Sequence, residues 1–254
     1  MLAYSLVNGL QQLATVLMAL RLHVVGSWGL STINFSLGKG EWWRVAVVAL
    51  YGVGPLAAAV VGTGAYQWYW HRQRARRGLF KLLLMWVALH ACNNILGALV
   101  SDTALRMGFY YVPTWFFQLG DIANNALALL AGAAQVILGY YASVPFLQAH
   151  DSHTVMEYPN RQRMVVSTIL VPWLAGSLLL ALSKTPTLSL LEGLHFGTMA
   201  LLLGPMALGC LNELFSSTVR SPQKTRVAWG LMGLVGLLLL GWHLLLSPPI
   251  LFGV

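Results

Sequence analysis

Charged residues are scarce in this sequence. Only 9% of the 254 residues are Asp, Glu, Lys or Arg, whereas 57% are hydrophobic. A soluble domain carries about 25% charged residues, so this chain has too few ionic side chains to cover a soluble surface. It is also too hydrophobic for a disordered chain. The composition excludes an ordinary soluble enzyme and indicates one polytopic membrane domain spanning residues 1–254.

Cysteine is rare as well. Cys92 and Cys210 both lie in apolar stretches, and the sequence contains no CxxC motif. This usage does not indicate a disulfide framework. We interpret both cysteines as small buried hydrophobic residues.

Long apolar segments are abundant. A helix needs about 20 largely apolar residues to cross a bilayer, and seven segments approach that length, the first being the weakest. They are residues 4–25, 43–67, 79–100, 115–142, 164–183, 188–213 and 227–247. The sequence therefore predicts an all-α, polytopic membrane helix bundle with about seven transmembrane helices.

Basic residues concentrate in alternate loops of this arrangement. One side holds Arg72, Arg74, Arg76, Arg77, Arg161, Arg163, Arg220, Lys224 and Arg226, and the other holds Lys39, Arg106 and Lys184. Because cytoplasmic loops are rich in Lys and Arg, the bias predicts N-in and C-out. Topology thus explains the net charge of +8, and nucleic acid is not expected as a partner. We expect the lipid bilayer as partner and a bacterial inner (cytoplasmic) membrane as location.

Ionisable and amide side chains interrupt several of the apolar segments. In the third segment, His90, Asn93 and Asn94 are spaced i, i+3, i+4 and share one helix face. In the fourth segment, Asp121 and Asn125 are spaced i, i+4. A charged side chain at the bilayer centre costs about 2.5–3.5 kcal/mol on insertion scales, so such residues commonly serve a function.

The sixth segment adds Glu192 and His195, three residues apart on a common face. In the predicted topology, these groups lie at related depths in the outer half of the membrane. We therefore expect a polar cavity there, open or nearly open to the outside.

The first functional hypothesis is an intramembrane hydrolase, possibly metal-dependent, with a membrane-embedded substrate. His90, Asp121 and His195 form a two-His, one-carboxylate set of the kind that binds zinc or another divalent metal. Glu192 or Glu41 would be the base that activates metal-bound water. The HExxH signature of many metalloproteases is not in the sequence.

Amide groups complete this hypothetical active site. The side-chain amides of Asn94 and Asn125 are candidate donors for an oxyanion. They would act on the charge that develops when the substrate carbonyl is attacked.

Two short patterns resemble intramembrane proteases. The motif GEWWR at 40–44, five further segments and a His in the sixth segment resemble the layout of rhomboid proteases. In that layout Asn124 occupies the place of the rhomboid nucleophilic Ser, which implies a non-protease relative. His90 and Asn94 also fit the HxxxN motif of CAAX-type prenyl proteases.

Two other functional classes fit the same cluster. The first alternative is a small transporter or proton-coupled permease, because intramembrane His and Asp also form proton relays. The second is a cofactor-binding or structural subunit of a membrane complex, with His90 and His195 as candidate haem ligands. The partners would then be other subunits of that complex.

Overall fold

The computed structural model describes residues 1–38, 40–74, 76, 78–150, 158–185, 188–212 and 229–253. The basic segment containing Arg220, Lys224 and Arg226 lies outside these ranges, as does Arg77.

Helices account for most of the described chain. They are α1 Leu2–Arg21, α2 Arg44–Trp68, α3 Phe80–Cys92, α4 Ala98–Leu105, α5 Tyr111–Phe116, α6 Asp121–Gln148, α7 Tyr158–Val165, α8 Val171–Lys184, α9 Leu190–Thr198, α10 Ala200–Leu211 and α11 Trp229–Leu246. Three π-helical turns extend or join them: Tyr69–Gln73, Asn93–Gly97 and Val166–Leu170. The short 3-10 helix Gly108–Tyr110 precedes α5.

Five helical segments of the described chain are long and apolar enough to cross a membrane. They are Arg44–Gln73, Phe80–Leu105, Asp121–Gln148, Pro159–Lys184 and Leu190–Leu211. The predictions of an all-α helix bundle, and of the second to sixth apolar segments as helices long and apolar enough to cross a membrane, are thereby confirmed. The predicted segments 4–25 and 227–247 form α1 and α11, which are not among these five.

One boundary differs clearly from the sequence prediction. The predicted segment 115–142 is divided, because Gln118 adopts a φ of 55° after α5 ends at Phe116. A left-handed residue cannot continue an α-helix. The spanning helix α6 therefore begins at Asp121 and continues to Gln148.

A small antiparallel sheet joins the segment between α1 and α2 to the segment that follows α11, and the sequence did not predict it. Its strands are β1 Gly26–Trp28, β2 Ile33–Phe35 and β3 Ile250–Phe252, in the order β2-β1-β3. Gly26 pairs with both Phe35 and Phe252. Each strand has only three residues, too few for a recognisable alternating pattern.

Helix α1 lies antiparallel to α2 along most of its length. Val16 and Ala19 pack in the same apolar cluster as Ala46 and Leu50. Near the start of α1, a second cluster joins Ala3 and Val7 to Ala58 and Ala65. The outward face of α1 is a row of exposed leucines at helical spacing: Leu6, Leu10, Leu13, Leu17 and Leu20. Such an apolar outer face suits contact with lipid.

Helices α6 and α10 make the closest backbone approach around the site. A Cβ on Gly139 would lie 2.2 Å from the carbonyl oxygen of Leu202. A Cβ on Gly209 would lie 2.6 Å from the Ser143 hydroxyl oxygen. Small residues at such crossings let membrane helices pack backbone to backbone.

Candidate functional site

An apolar cavity of about 260 Å³ lies between the start of α1 and helices α3, α8 and α9. Its polar lining comes from the N-terminal amine of Met1 and from the side chains of Tyr4, His90, Asn93, Ser177 and His195. The sequence led us to expect a cavity facing the outer side. That position in the membrane stays a prediction. The lining extends along α3 and reaches Leu79, next to the basic segment that precedes this helix.

His195 on α9 is held by an amide pair. Its Nε2 lies 2.6 Å from Asn94 Oδ1, and Asn94 Nδ2 donates to Gln11 Oε1 at 2.7 Å. Because an amide oxygen only accepts, this contact assigns the proton to Nε2 and leaves Nδ1 as an acceptor. Asn93 Nδ2, at 3.2 Å from the same nitrogen, donates instead to the His195 carbonyl at 3.0 Å.

The two asparagines open a π-helical turn, Asn93–Gly97. A π turn widens the helix locally, and such turns are common at functional sites. Here one asparagine bonds toward α6 and the other toward α1. Gln135 Nε2 donates to Asn93 Oδ1 at 2.9 Å, and Thr198 Oγ1 donates to the same oxygen at 3.1 Å.

Gly97 is required by this network. A Cβ at position 97 would lie 2.3 Å from Asn93 Oδ1 and 2.6 Å from Thr198 Oγ1. Both distances are far inside van der Waals contact, so any side chain at position 97 would displace the Asn93 amide.

His90 is positioned by ring contacts. Its ring centroid lies 5.7 Å from that of Tyr4 and 5.7 Å from that of Trp86. Within the described chain, neither nitrogen of His90 has a hydrogen-bond partner, and the Nδ1 of His195 has none either. Two imidazoles that line one cavity are therefore available to a ligand.

A buried ion pair lies beside the cavity. Lys184, at the end of α8, pairs with Glu192 near the start of α9, and their side chains are only 5% and 10% exposed. Tyr4 donates its hydroxyl to Glu192 Oε1 at 3.0 Å. The same tyrosine ring contacts His90, so this pair is connected to the cavity through Tyr4.

Asp121 is separate from the histidine pair. It begins α6, where its side chain is 51% exposed and pairs with Arg106 at 2.7 Å. Tyr110 donates to its other oxygen at 2.8 Å. An acidic residue in the first turn also interacts favourably with the helix dipole. A structural role at a helix start therefore accounts for Asp121.

The metal centre expected at His90, Asp121 and His195 is not assembled in this structure. Across the described ranges, no group of three or more His, Cys, Asp or Glu side chains is placed to hold one metal ion. The structure brings the two histidines to one cavity without a carboxylate as third ligand.

Two other predicted residues lie apart from the site. Asn125 is exposed, whereas its neighbour Asn124 is buried and donates to Thr114 Oγ1 at 2.9 Å. Glu41 accepts from the Gly38 backbone N–H at 2.7 Å in an exposed turn. The oxyanion role expected for Asn125 and the base role expected for Glu41 therefore have no support from their positions.

Sequence reasoning missed Tyr4, Thr198 and the buried state of Lys184. Lys184 ends one apolar segment and Glu192 begins the next. Helical periodicity describes residues within one helix, so it could not predict that these two side chains meet. An aromatic residue near a segment end also matches an interfacial anchor. The sequence did contain a signal for Thr198. His195 and Thr198 are spaced i, i+3 and so lie on one helix face, and in the structure this face contacts the asparagines of the turn that follows α3.

Comparison with protein families, with curated proteins and with solved structures gives no match to this chain.

Proposed function

We propose that the chain is an intramembrane enzyme that acts on a membrane-embedded amphipathic substrate by hydrolytic chemistry. The observation that carries this proposal is the pair of imidazoles, His90 and His195, in one largely apolar cavity. One of them is oriented by an amide chain, and the other has no protein hydrogen bond in the described residues.

The tautomer of His195 supports a role as general base. Its Nε2–H is occupied by Asn94, so the lone pair of Nδ1 is available for a proton from water. A base held by a third group is the usual arrangement in acid–base catalysis, because the orienting group fixes the tautomer and the ring plane. His90 is the second imidazole and a candidate donor to the leaving group.

The amide and carboxylate roles expected from the sequence change accordingly. The Asn94 amide N–H donates to Gln11, and its carbonyl oxygen accepts from His195. We therefore assign Asn94 as a positioning residue instead of an oxyanion donor. Glu192 is paired with Lys184 and accepts the hydroxyl hydrogen bond of Tyr4. We therefore assign Glu192 the role of holding Tyr4 in place. Neither role needs a metal ion.

Turnover of a long-chain fluorogenic acyl ester tests the proposal. The purified full chain in liposomes is expected to release the fluorophore, and His195→Ala to slow release by at least about 100-fold, the usual contribution of one acid–base group. His243→Ala on α11 is the matched control and should retain activity. Release no faster than in protein-free liposomes, or equal in His195→Ala, would disprove the proposal.

We further propose that the bundle crosses the membrane seven times, with α1 and α11 added to the five long segments. The sheet supports this count. β1 precedes all five segments and β3 follows them, yet the strands are hydrogen-bonded. Five crossings would leave the two strands on opposite sides, so a sixth crossing, supplied by α11, is needed between them.

The packing of α1 supports the seventh crossing. It runs antiparallel to α2 from the level of Ala46 to that of Ala65, and 20 residues of helix cover about 30 Å. With seven crossings, Arg72, Arg74 and Arg161 share one side. We propose that this side is cytoplasmic, in agreement with the positive-inside rule.

Proton-coupled transport is the second candidate. A buried Lys184–Glu192 pair lies where α8 ends and α9 begins, and Glu192 Oε2 has no hydrogen-bond partner in the described chain. Buried ion pairs at interrupted membrane helices are typical of transporters. Proton flux into dye-loaded liposomes that disappears in Glu192→Gln, with no ester turnover by the wild-type chain, would favour this candidate.

A further inference from the structure

We infer that Gln11, on α1, is a positioning residue that keeps the ring proton of His195 on Nε2. The inference rests on the proposed function, because it concerns the ring that would act as general base. Two side-chain amides carry it, those of Gln11 and Asn94, which form a chain of hydrogen bonds that ends at the imidazole.

This amide chain has a direction. Asn94 Nδ2 donates to Gln11 Oε1 at 2.7 Å, and Asn94 Oδ1 lies 2.6 Å from His195 Nε2. An amide oxygen only accepts, and an amide NH2 group only donates. Because the Asn94 NH2 group points at the Gln11 oxygen, the Asn94 oxygen faces the ring. The ring therefore donates from Nε2, and the lone pair of Nδ1 is left for a proton from water.

The same two amides have an alternative arrangement with the opposite direction. If the Gln11 amide were turned over, its NH2 group would donate to Asn94 Oδ1, and Asn94 Nδ2 would donate to His195 Nε2. That nitrogen would then be an acceptor, and the ring proton would lie on Nδ1. The hydrogen bond at one ring nitrogen thus sets the state of the other, and the orientation of Gln11 decides whether His195 has a base at Nδ1.

The neighbouring amide of Asn93 opposes the observed tautomer. Its Oδ1 accepts from Gln135 Nε2 at 2.9 Å and from Thr198 Oγ1 at 3.1 Å, so two donors fix its orientation. Its NH2 group consequently faces His195, 3.0 Å from the backbone carbonyl oxygen and 3.2 Å from Nε2. Without the Gln11–Asn94 chain, Nε2 would accept from this NH2 group and the proton would move to Nδ1.

Helix α2 leaves room for Gln11 at Gly54. A Cβ at position 54 would lie 2.7 Å from Gln11 Cγ and 3.3 Å from Gln11 Nε2. A side chain there would push Gln11 out of its present position. Gln11 is not among the residues that line the cavity, so it acts on the site through Asn94 and does not contact a substrate there.

The test locates the ring proton directly. Nitrogen-15 NMR of the histidine-labelled full chain in liposomes distinguishes a ring nitrogen that carries hydrogen from one with a free lone pair. The spectrum of His195→Ala identifies the His195 signals, and at pH 8 an ordinary histidine is neutral. We expect the wild-type ring to carry its proton on Nε2.

Two substitutions of Gln11 should move that proton. Gln11→Leu removes both amide groups and should place at least half of the His195 population in the Nδ1–H form. Gln11→Lys supplies donors and no acceptor, so it should place nearly all of the population in that form. If Gln11→Lys does not fold, Gln11→Leu alone decides. A proton that stays on Nε2 in the folded variants would overturn the inference.

The adjacent glutamine is the matched control. Gln12 accepts from the Trp28 indole N–H at 3.0 Å and takes no part in the chain to His195. Gln12→Leu makes the same change one residue along α1 and should leave the proton on Nε2. A shift to Nδ1 in this variant would show that any disturbance of α1 moves the proton, which would contradict a specific role of Gln11.

A pair of glycine variants displaces Gln11 without changing its chemistry. Gly54→Ala puts a methyl group against the Gln11 side chain and should populate the Nδ1–H form. Gly52→Ala, on the same helix, would meet Val112 at 3.7 Å, which is ordinary contact, and should not. Identical spectra for these two variants would contradict the path through Gln11.

Ester turnover is the second readout and separates this inference from the proposed function. We expect Gln11→Leu to lower kcat by at least about 10-fold, as for loss of other orienting partners of a histidine, with KM changed by less than about twofold. A ring proton that moves in Gln11→Leu, with no ester turnover by the wild-type chain, refutes the enzyme and leaves the role of Gln11 intact. Turnover that requires His195, with Nε2–H unchanged in Gln11→Leu, refutes the role of Gln11 and leaves the enzyme intact.

Discussion

His195 Nε2 lies 2.6 Å from Asn94 Oδ1, and this contact decides which nitrogen of the ring carries the proton. Asn94→Leu removes the acceptor while keeping a side chain of similar size. We expect kcat for the fluorogenic ester to fall by about 10–100-fold, as for loss of other orienting partners of a histidine, with little change in KM. Asn94→Asp keeps the acceptor oxygen and should retain more activity than Asn94→Leu. Full activity of Asn94→Leu would remove Asn94 from the mechanism.

Gly139 allows α6 to contact the backbone of α10. In Gly139→Ala the new methyl group would lie 2.2 Å from the Leu202 carbonyl oxygen, which is backbone and cannot rotate away. We expect a loss of about 1–3 kcal/mol, the usual cost of overpacking, measured as a lower thermal unfolding temperature in detergent. Gly132→Ala on the same helix is the control, because its nearest neighbours would be 3.8 Å away. Equal unfolding temperatures for the two variants would disagree with the helix crossing described above.

Lys184 and Glu192 should show strong coupling in a double-mutant cycle. Lys184→Met leaves the Glu192 carboxylate buried without its cation, and removal of one partner of such a pair costs about 3–5 kcal/mol. Glu192→Gln in the Lys184→Met background removes the stranded charge and should restore much of the stability. Additive losses in the two single variants and the double variant, measured by chemical unfolding in detergent, would indicate that the pair is not coupled.

The position of Ser247 distinguishes six crossings after β1 from five. Single cysteines at His71, Gly120 and Ser247, in a Cys92→Ala and Cys210→Ala background, are exposed positions for labelling with a membrane-impermeant maleimide. In intact cells we expect labelling at positions 120 and 247, and labelling at 71 only after permeabilisation. If position 247 behaves like 71, α11 does not cross, and the pairing of β1 with β3 cannot persist in the membrane.

The sequence predicted the helices well because a spanning helix is a local property. About 20 apolar residues in a row are sufficient to recognise one, and the second to sixth segments match the five long helices. The sheet was not predictable in the same way, because β1 and β3 lie more than 220 residues apart and each has three residues. Their pairing depends on the helices that bring them together.

The site was predictable only in part, for a related reason. The spacing of His90, Asn93 and Asn94 placed them on one face, and the structure brings them beside His195. The position of Asp121 at the first residue of α6 was not predictable, because composition alone cannot distinguish a carboxylate inside a span from one at its first residue. The π turn at Asn93–Gly97 could not be recognised from the sequence pattern either. In the structure, Asn93 at this turn bonds toward α6 and Asn94 bonds toward α1.

The sheet described above also constrains the order in which the molecule is built. β1 and β2 are synthesised early, and until β3 emerges behind α11 the outer edge of β1 has unpaired N–H and C=O groups, which can pair with other chains. The final strand therefore closes the assembly. In a chain without Ile250–Phe252, the N–H and C=O groups along that edge of β1 would stay unpaired and open to a strand of another chain.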